Sequence, residues 1–243
     1  VMNEFKNYDD LLAAKKITGS NVSFVVPRRN WTTGTTYDIY RHDYEEFITG
    51  STTTRQTANS GAVTLFDSSF YVMTGARNVY KCLDNNGNSA STDEPTGTST
   101  TVITTSDSYK WKYMYTLSAS DQANFLSTDF MGVTTDSTVS AAVDGSLDIV
   151  KIKTAGSSYT VSGGATSGTI TAVPIRGDGT GGVASVTLTS GAITAVTITT
   201  RGSGYTFGYI RNADILAATN AGGAGSGAEL DVIIPPKGGH GFN

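Results

Sequence analysis

Apolar positions along this chain fall mostly at a two-residue spacing. From Tyr109 to Leu117, the aromatic residues Tyr109, Trp111, Tyr113 and Tyr115 alternate with Lys110, Lys112 and Met114. An extended strand built this way carries rings on one face and lysines on the other. Val22, Phe24 and Val26 alternate with Ser23 and Val25 until Pro27, the pattern of a strand ending at a proline. Further strands are expected at 62–66, 69–74 and 77–83, the last carrying Val79, Cys82 and Leu83. Helical spacing is confined to two short stretches. Phe5, Tyr8, Leu11 and Leu12 predict an amphipathic helix over residues 3–16, stopped near Gly19. Ser118 or Ser120 caps a brief helix through residue 127, with Ala123, Phe125 and Leu126 turned inward.

The segment 84–100 (DNNGNSASTDEPTGTST) holds no aliphatic residue larger than alanine and reads as a long surface loop. Beyond it, the pattern repeats itself. Gly145, Val150, Ile152, Gly156 and Tyr159 recur as Gly191, Val196, Ile198, Gly202 and Tyr205, an offset of 46 residues (159 to 205). The same shift carries Gly177, Gly179, Gly181 and Val186 onto Gly223, Gly225, Gly227 and Val232. The repeated unit therefore spans about 145–190 and again 191–234. Asp144-Gly145 and Ser190-Gly191 each predict a hairpin turn at the start of a copy. In both copies the apolar phase switches, from Leu147 and Ile149 to Val150 and Ile152, and from Ile193 and Ala195 to Val196 and Ile198. A bulge or burial on both faces explains such a switch. Pro235-Pro236 ends the array, because proline donates nothing to a sheet.

The expectation is a mainly β chain with a few short helices, in two domains. Residues 1–136 form a mixed, mainly β domain with the N-terminal helix and the 84–100 loop. Residues 137–236 form an all-β domain with the duplicated unit, and 237–243 are a Gly-rich tail. Composition agrees: apolar residues are 38% and charged residues only 16%, with abundant Gly, Ser and Thr, which suits strands and turns better than helix packing.

Charge and cysteine content narrow the partners. A net charge of −4 leaves no broad basic face for phosphate backbones, so neither nucleic acid nor an anionic membrane is an expected partner. Proteins are. Cys82 is the single cysteine, so no intrachain disulfide or cysteine-based zinc site forms, which fits assembly in a reducing cytoplasm. No apolar run is long enough to cross a bilayer, and residues 1–16 are too charged for a signal peptide.

Candidate chemistry is sparse. Gly177-Asp178-Gly179-Thr180-Gly181-Gly182 has the G-x-G-x-x-G spacing, but a strand pattern follows where a dinucleotide site requires a helix, so a turn is expected. His42 and His240 are the only histidines, and Arg41-His42-Asp43-Tyr44-Glu45-Glu46 reads as a solvated charged face rather than a metal site. Asp84-Asn85-Asn86-Gly87-Asn88 departs from a calcium loop, with its glycine too early and Pro95 where a bidentate Glu belongs. Neither histidine sits in a triad context, and no carboxylate pair is placed as in a glycosidase. Asn21-Val22-Ser23 and Asn30-Trp31-Thr32 are glycosylation sequons in form only. The aromatic strand is either a core or interface element or a sugar-stacking platform, the former being the commoner fate of such faces.

Three segments stand together: Val25-Val26-Pro27-Arg28-Arg29-Asn30-Trp31; Val79-Tyr80-Lys81-Cys82-Leu83-Asp84 with Glu94-Pro95; and Asp107-Ser108-Tyr109-Lys110-Trp111-Lys112-Tyr113-Met114-Tyr115. Their order and spacing resemble the baseplate wedge protein of T-even-like contractile-tailed bacteriophages, particularly the marine cyanophage versions, over about residues 15–135. The Gly-rich repeated region resembles the C-terminal part of the marine versions and differs from the T-even form. Against that family the chain reads as truncated at one or both ends. The resemblance implies a non-enzymatic structural subunit, a homodimer that bridges other baseplate wedge proteins in the virion tail, with no cofactor, no metal and no catalytic residue. It marks Arg28, Arg29, Trp31, Tyr80, Tyr109, Trp111 and Tyr113 as signature positions, fold-defining or interface-forming. A receptor- or glycan-binding tail module is the first alternative, and a glycan-degrading enzyme with two facing carboxylates the second.

Overall fold

A computed structural model describes residues 16–44, 58–134 and 141–238; the helix expected over 3–16, Glu45, Glu46 and His240 lie outside the described residues. Among the described residues the fold is mainly β, 41% strand and 7% helix, with several antiparallel sheets. The chain forms two compact units, one of Val1–Arg28 with Leu117–Thr134 and one of Arg29–Thr116 with Thr135–Asn243. This division differs from a boundary at 136/137, because residues 29–116 share ion pairs and a core with the C-terminal sheets.

The smaller unit is a two-stranded sheet of β1 (Phe24–Pro27) and β6 (Phe130–Val133), antiparallel with Phe24 opposite Val133 and Pro27 opposite Phe130. Helix α1 (Ala119–Phe125) starts where Ser118 accepts a hydrogen bond from the Asp121 amide. Its inward face is thinner than expected: Ala123 is exposed, and Phe125 and Leu126 are only half-buried. Gly132 leaves room for Phe125, whose Cβ lies 3.1 Å from where a side chain at 132 would begin.

In the larger unit β2 (Tyr71–Met73), β3 (Asn78–Asp84), β4 (Ile103–Thr104) and β5 (Lys110–Thr116) form one antiparallel sheet in the order β2-β3-β5-β4. The strand expected at 62–66 is absent. Thr64 and Asp67 bond each other through their side chains at 3.0 Å, and the Ser68 amide reaches the Thr64 carbonyl, so the segment closes into a turn.

The rest of that unit comprises β7 (Ile149–Ser157), β8 (Gly168–Pro174), β9 (Arg176–Gly177), β10 (Thr180–Thr189), β11 (Ala192–Ser203), β12 (Gly208–Tyr209), helix α2 (Asn212–Leu216) and β13 (Ser226–Ile233). They make two sheets, β11-β10-β8 and β7-β13-β12-β9. The 46-residue offset reappears in the pairing. Thr180 faces Ser203 and Gly182 faces Arg201 in β10–β11, while Ser226 faces Ser157 and Ala228 faces Ala155 in β13–β7. Each early strand thus pairs with a late strand of the other copy. A register shift recurs at Val183/Ala184 and Glu229/Leu230.

Two glycines make the crossing close. Gly156 and Gly202 have φ of +65° and +63°, and a Cβ on Gly156 would lie 2.6 Å from the Ala228 amide nitrogen, one on Gly202 2.6 Å from that of Gly182. The same two amides donate to tyrosine hydroxyls, Gly182 to Tyr205 at 3.0 Å and Ala228 to Tyr159 at 3.3 Å. Both tyrosines are buried, in one core with Leu147, Val150, Ile170, Val186 and Val232.

The copies part in two places. Residues 46 beyond β8 include α2, whose Ile215 enters the same core. Ser190-Gly191 makes the expected two-residue hairpin, both at positive φ, with Thr189 paired to Ala192. Gly145 also has positive φ, yet residues 141–143 form no strand, so the turn at 144–145 is not a hairpin. Its backbone serves the crossing instead: the Asp144 carbonyl accepts from the Gly204 amide, and the Leu147 amide donates to the Arg201 carbonyl. The phase switch has both expected origins, with Ile149 and Val150 each buried and an irregularity in β11 beside Ile193.

Gly156→Ala and Gly202→Ala should each destabilise the protein by about 2–4 kcal/mol, since a methyl group would overlap backbone and strain a left-handed residue. Gly163→Ala, whose added Cβ meets nothing within 4 Å, should cost only the left-handed penalty of about 1 kcal/mol. Urea denaturation of the three variants checks the ranking.

Candidate functional site

The signature residues fall into three groups. Tyr80, Tyr109, Trp111 and Tyr113 are buried with Tyr37, Val72 and Cys82, and Trp31 packs against them. Tyr109 stacks on Trp111 with ring centres 5.4 Å apart, while Tyr37 meets Trp111 edge-on and Tyr80 meets Tyr113 edge-on. Trp111 is fully buried. Its faces are occupied, so the strand is a core element and offers no sugar-stacking platform. Arg29 sits apart, its guanidinium 5.7 Å from the Tyr71 ring centre and donating to the Asp67 carbonyl. Arg28 belongs to the smaller unit, where it donates to the Ser127 carbonyl at 2.9 Å.

The 84–100 loop is mostly exposed but pinned. Asp107 accepts from the Ser91 hydroxyl and from the Thr92 and Asp93 amides through one oxygen, and from Thr105 and Tyr109 through the other. These bonds outweigh its burial and hold its carboxyl below the usual range. Trp31 Nε1 donates to Ser91, and the Tyr109 hydroxyl to the Ser89 carbonyl. Asp84 pairs with Lys151 at 2.5 Å, so the stretch resembling a calcium loop spends its leading carboxylate on an ion pair.

The charged run at 41–44 is only partly a solvated face: His42 is exposed, but its neighbours are engaged. Arg41 binds both Asp43 and Asp231 at 2.7 Å, Tyr44 is buried, and His42 Nδ1 accepts from the Ile234 amide. Packing beside β13 explains the difference, since Asp231 and Ile234 lie too far along the chain to be inferred from local pattern. The Gly177–Gly182 stretch leads into β10, as a turn should, and Asp178 caps Thr206 and Phe207. Those bonds, the Thr206 hydroxyl first, hold its carboxyl down to about 2. Burial pushes the Cys82 thiol well up, which keeps it protonated.

The most unusual chemistry lies on the other face of the aromatic strand. Lys81 and Lys112 are directly paired across β3 and β5 and both are buried. Like charges so placed repel. Asp148, just before β7, answers them: it stands 3.5 Å from Lys112 and 2.5 Å from Arg201 of β11. Lys112 also donates to the Thr100 carbonyl at 2.5 Å, and the Lys81 amine lies 4.7 Å above the Tyr40 ring. Burial lowers Lys81 to about 7, against the pull of Asp148 and with the help of Lys112. Burial lowers Lys112 as well.

Beside this group opens a cleft of about 360 Å³ lined by Thr100, Thr101, Val102, Thr104, Lys110, Asp148, Ile149, Val196, Thr197, Ile198 and Arg201. Sequence reasoning missed it, because its two walls come from residues 100–110 and 148–201. Its one carboxylate is Asp148. Among the described residues no group of three or more His, Cys, Asp or Glu is placed to hold a metal ion, and no helix is long and apolar enough to cross a membrane. Comparisons with family models, curated proteins and solved structures return no match.

An unfolded chain holds the Lys81 proton up to about 10.5, the folded one only to about 7. Stability should therefore rise as pH climbs from about 7 towards 10 and be insensitive to this group below 7. Lys81→Met should raise the melting temperature at pH 7 by about 3 °C or more and flatten that slope. Thermal scans across this pH range check both. A variant less stable than the parent at pH 7 would contradict the assignment.

Proposed function

We propose that the chain is a structural subunit of a phage tail baseplate wedge, acting by protein–protein assembly as a homodimer that joins other wedge proteins. The observation that carries the assembly part is the apolar surface of the smaller unit. Phe24 is 80% exposed, Val22 64%, Phe130 50% and Val25 49%, all on or beside a sheet of two strands. Phe24 lies on one face of that sheet and Val25 and Phe130 on the other, and a two-stranded sheet, marginal in water by itself, gains stability when exposed apolar residues of this kind are covered. Phenylalanine is also a residue type enriched in protein interfaces. The phage setting rests on the resemblance of the three segments containing Arg28–Trp31, Val79–Asp84 and Asp107–Tyr115.

Sedimentation equilibrium tests the reading. The parent chain should show a concentration-dependent species of twice the 25.4 kDa protomer mass, and Phe24→Asp with Phe130→Asp should be monomeric with an unchanged far-UV spectrum. A parent that stays monomeric at about 100 μM, well above the range of specific dimers, would count against it.

A further inference from the structure

The cleft beside Asp148 has no part in the assembly reading, and its lining is chemically biased. Lys110 and Arg201 line it, and Lys112, outside the lining, is bonded to the carbonyl of the lining residue Thr100 and paired with the lining Asp148. Against these three cations stands one carboxylate, Asp148, already held by Lys112 and Arg201. The local excess is positive in a chain whose net charge is −4, which runs against the overall field and marks the spot for an anion. Lys110 makes no ion pair among the described residues. Thr100, Thr101, Thr104 and Thr197 are among the lining residues, and Val102, Ile149, Val196 and Ile198 give the lining an apolar part.

We propose that this cleft binds a small oxyanion-bearing ligand, a monosaccharide carrying a phosphate or sulfate group. Guanidinium and ammonium groups recognise such oxygens through charge-assisted hydrogen bonds. Threonine hydroxyls donate to the remaining oxygens or to sugar hydroxyls. Size chooses between a bare ion and a larger body. At about 30 Å³ per water, the 360 Å³ cleft is several times larger than a phosphate ion, and the apolar residues suit the carbon face of a sugar ring. A mixed lining of this kind, apolar with a few converging polar groups, is typical of small-molecule sites. Arg201 is held in place by Asp148, so its guanidinium is pre-ordered before any ligand arrives.

Titration calorimetry of the full chain tests this with inorganic phosphate, inorganic sulfate, glucose 6-phosphate, glucose 6-sulfate and glucose as probes. Glucose 6-phosphate or glucose 6-sulfate should bind saturably, at about 1 mM or tighter; the inorganic ions should bind more weakly and glucose not at all. Lys110→Gln should weaken binding about fivefold and Lys110→Glu about tenfold or more. Lys110 is half-buried at the start of β5, and Thr104→Val serves as a second variant that leaves the charges intact and should also weaken the sugar ester. Absence of saturable binding of either sugar ester up to about 20 mM would overturn the proposal. So would equal affinity of the parent and Lys110→Glu, or glucose binding as tightly as its phosphate. None of these results alters the oligomeric state, so this site and the assembly reading fail or stand separately.

Discussion

The crossing of strands between the two repeats is the constraint on which the larger unit depends. β7 cannot complete its ladder until β13 arrives from the far end of the second copy, where Ile149 pairs with Ile233 and Ser157 with Ser226. β10, by contrast, takes its partner from the second copy at once through the Ser190-Gly191 turn. Backbones meet so closely at the crossings that only glycine fits at 156 and 202, and a tyrosine hydroxyl is bonded to the amide facing each one. Apolar burial in the shared core supplies the drive, but these contacts fix which strand lies against which.

Polar groups then join the aromatic sheet to the crossed strands. Lys112 and Arg201 converge on Asp148, Lys151 meets Asp84, and Arg41 meets Asp231. Buried ion pairs of this kind contribute little net stability once desolvation is counted, and breaking one partner away is costly. Their effect here is geometric: each of these groups joins a residue no later than Lys112 to one no earlier than Asp148, so the two parts of the larger unit have one mutual arrangement that satisfies all of them. The cleft is a by-product of that arrangement, lying where the Thr100–Lys110 segment borders β11.

Local pattern made part of this legible. The two-residue period of Tyr109–Tyr115 marked a strand, the 46-residue recurrence of Gly156 and Tyr159 marked equivalent positions, and Ser190-Gly191 marked a turn, because each is encoded by neighbours in sequence. The same pattern left the burial of Lys112 unread. Alternation puts it opposite the rings but says nothing of its burial, which Asp148 and Arg201 bring about from sequence-distant segments. Arg41 and Tyr44 were misread for the same reason, through Asp231 and the packing beside it. Residues 62–66 were lost as a strand because Thr64 and Asp67 bond locally. Nor does any sequence periodicity reveal that the second copy replaces β8 with α2. Of the signature residues, Trp31, Tyr80, Tyr109, Trp111 and Tyr113 do gather in one cluster; burial makes the last four core residues, while Trp31 is half-buried at its edge.

Amide hydrogen exchange at Gly182 and Ala228 tests the central claim most directly. If the repeats lock each other, the two amides should exchange only through global unfolding, with equal free energies that fall together as urea is added. Exchange of Ala228 by a local opening several kcal/mol below that of Gly182 would show that β13 leaves β7 independently, and would contradict an interlocked pair.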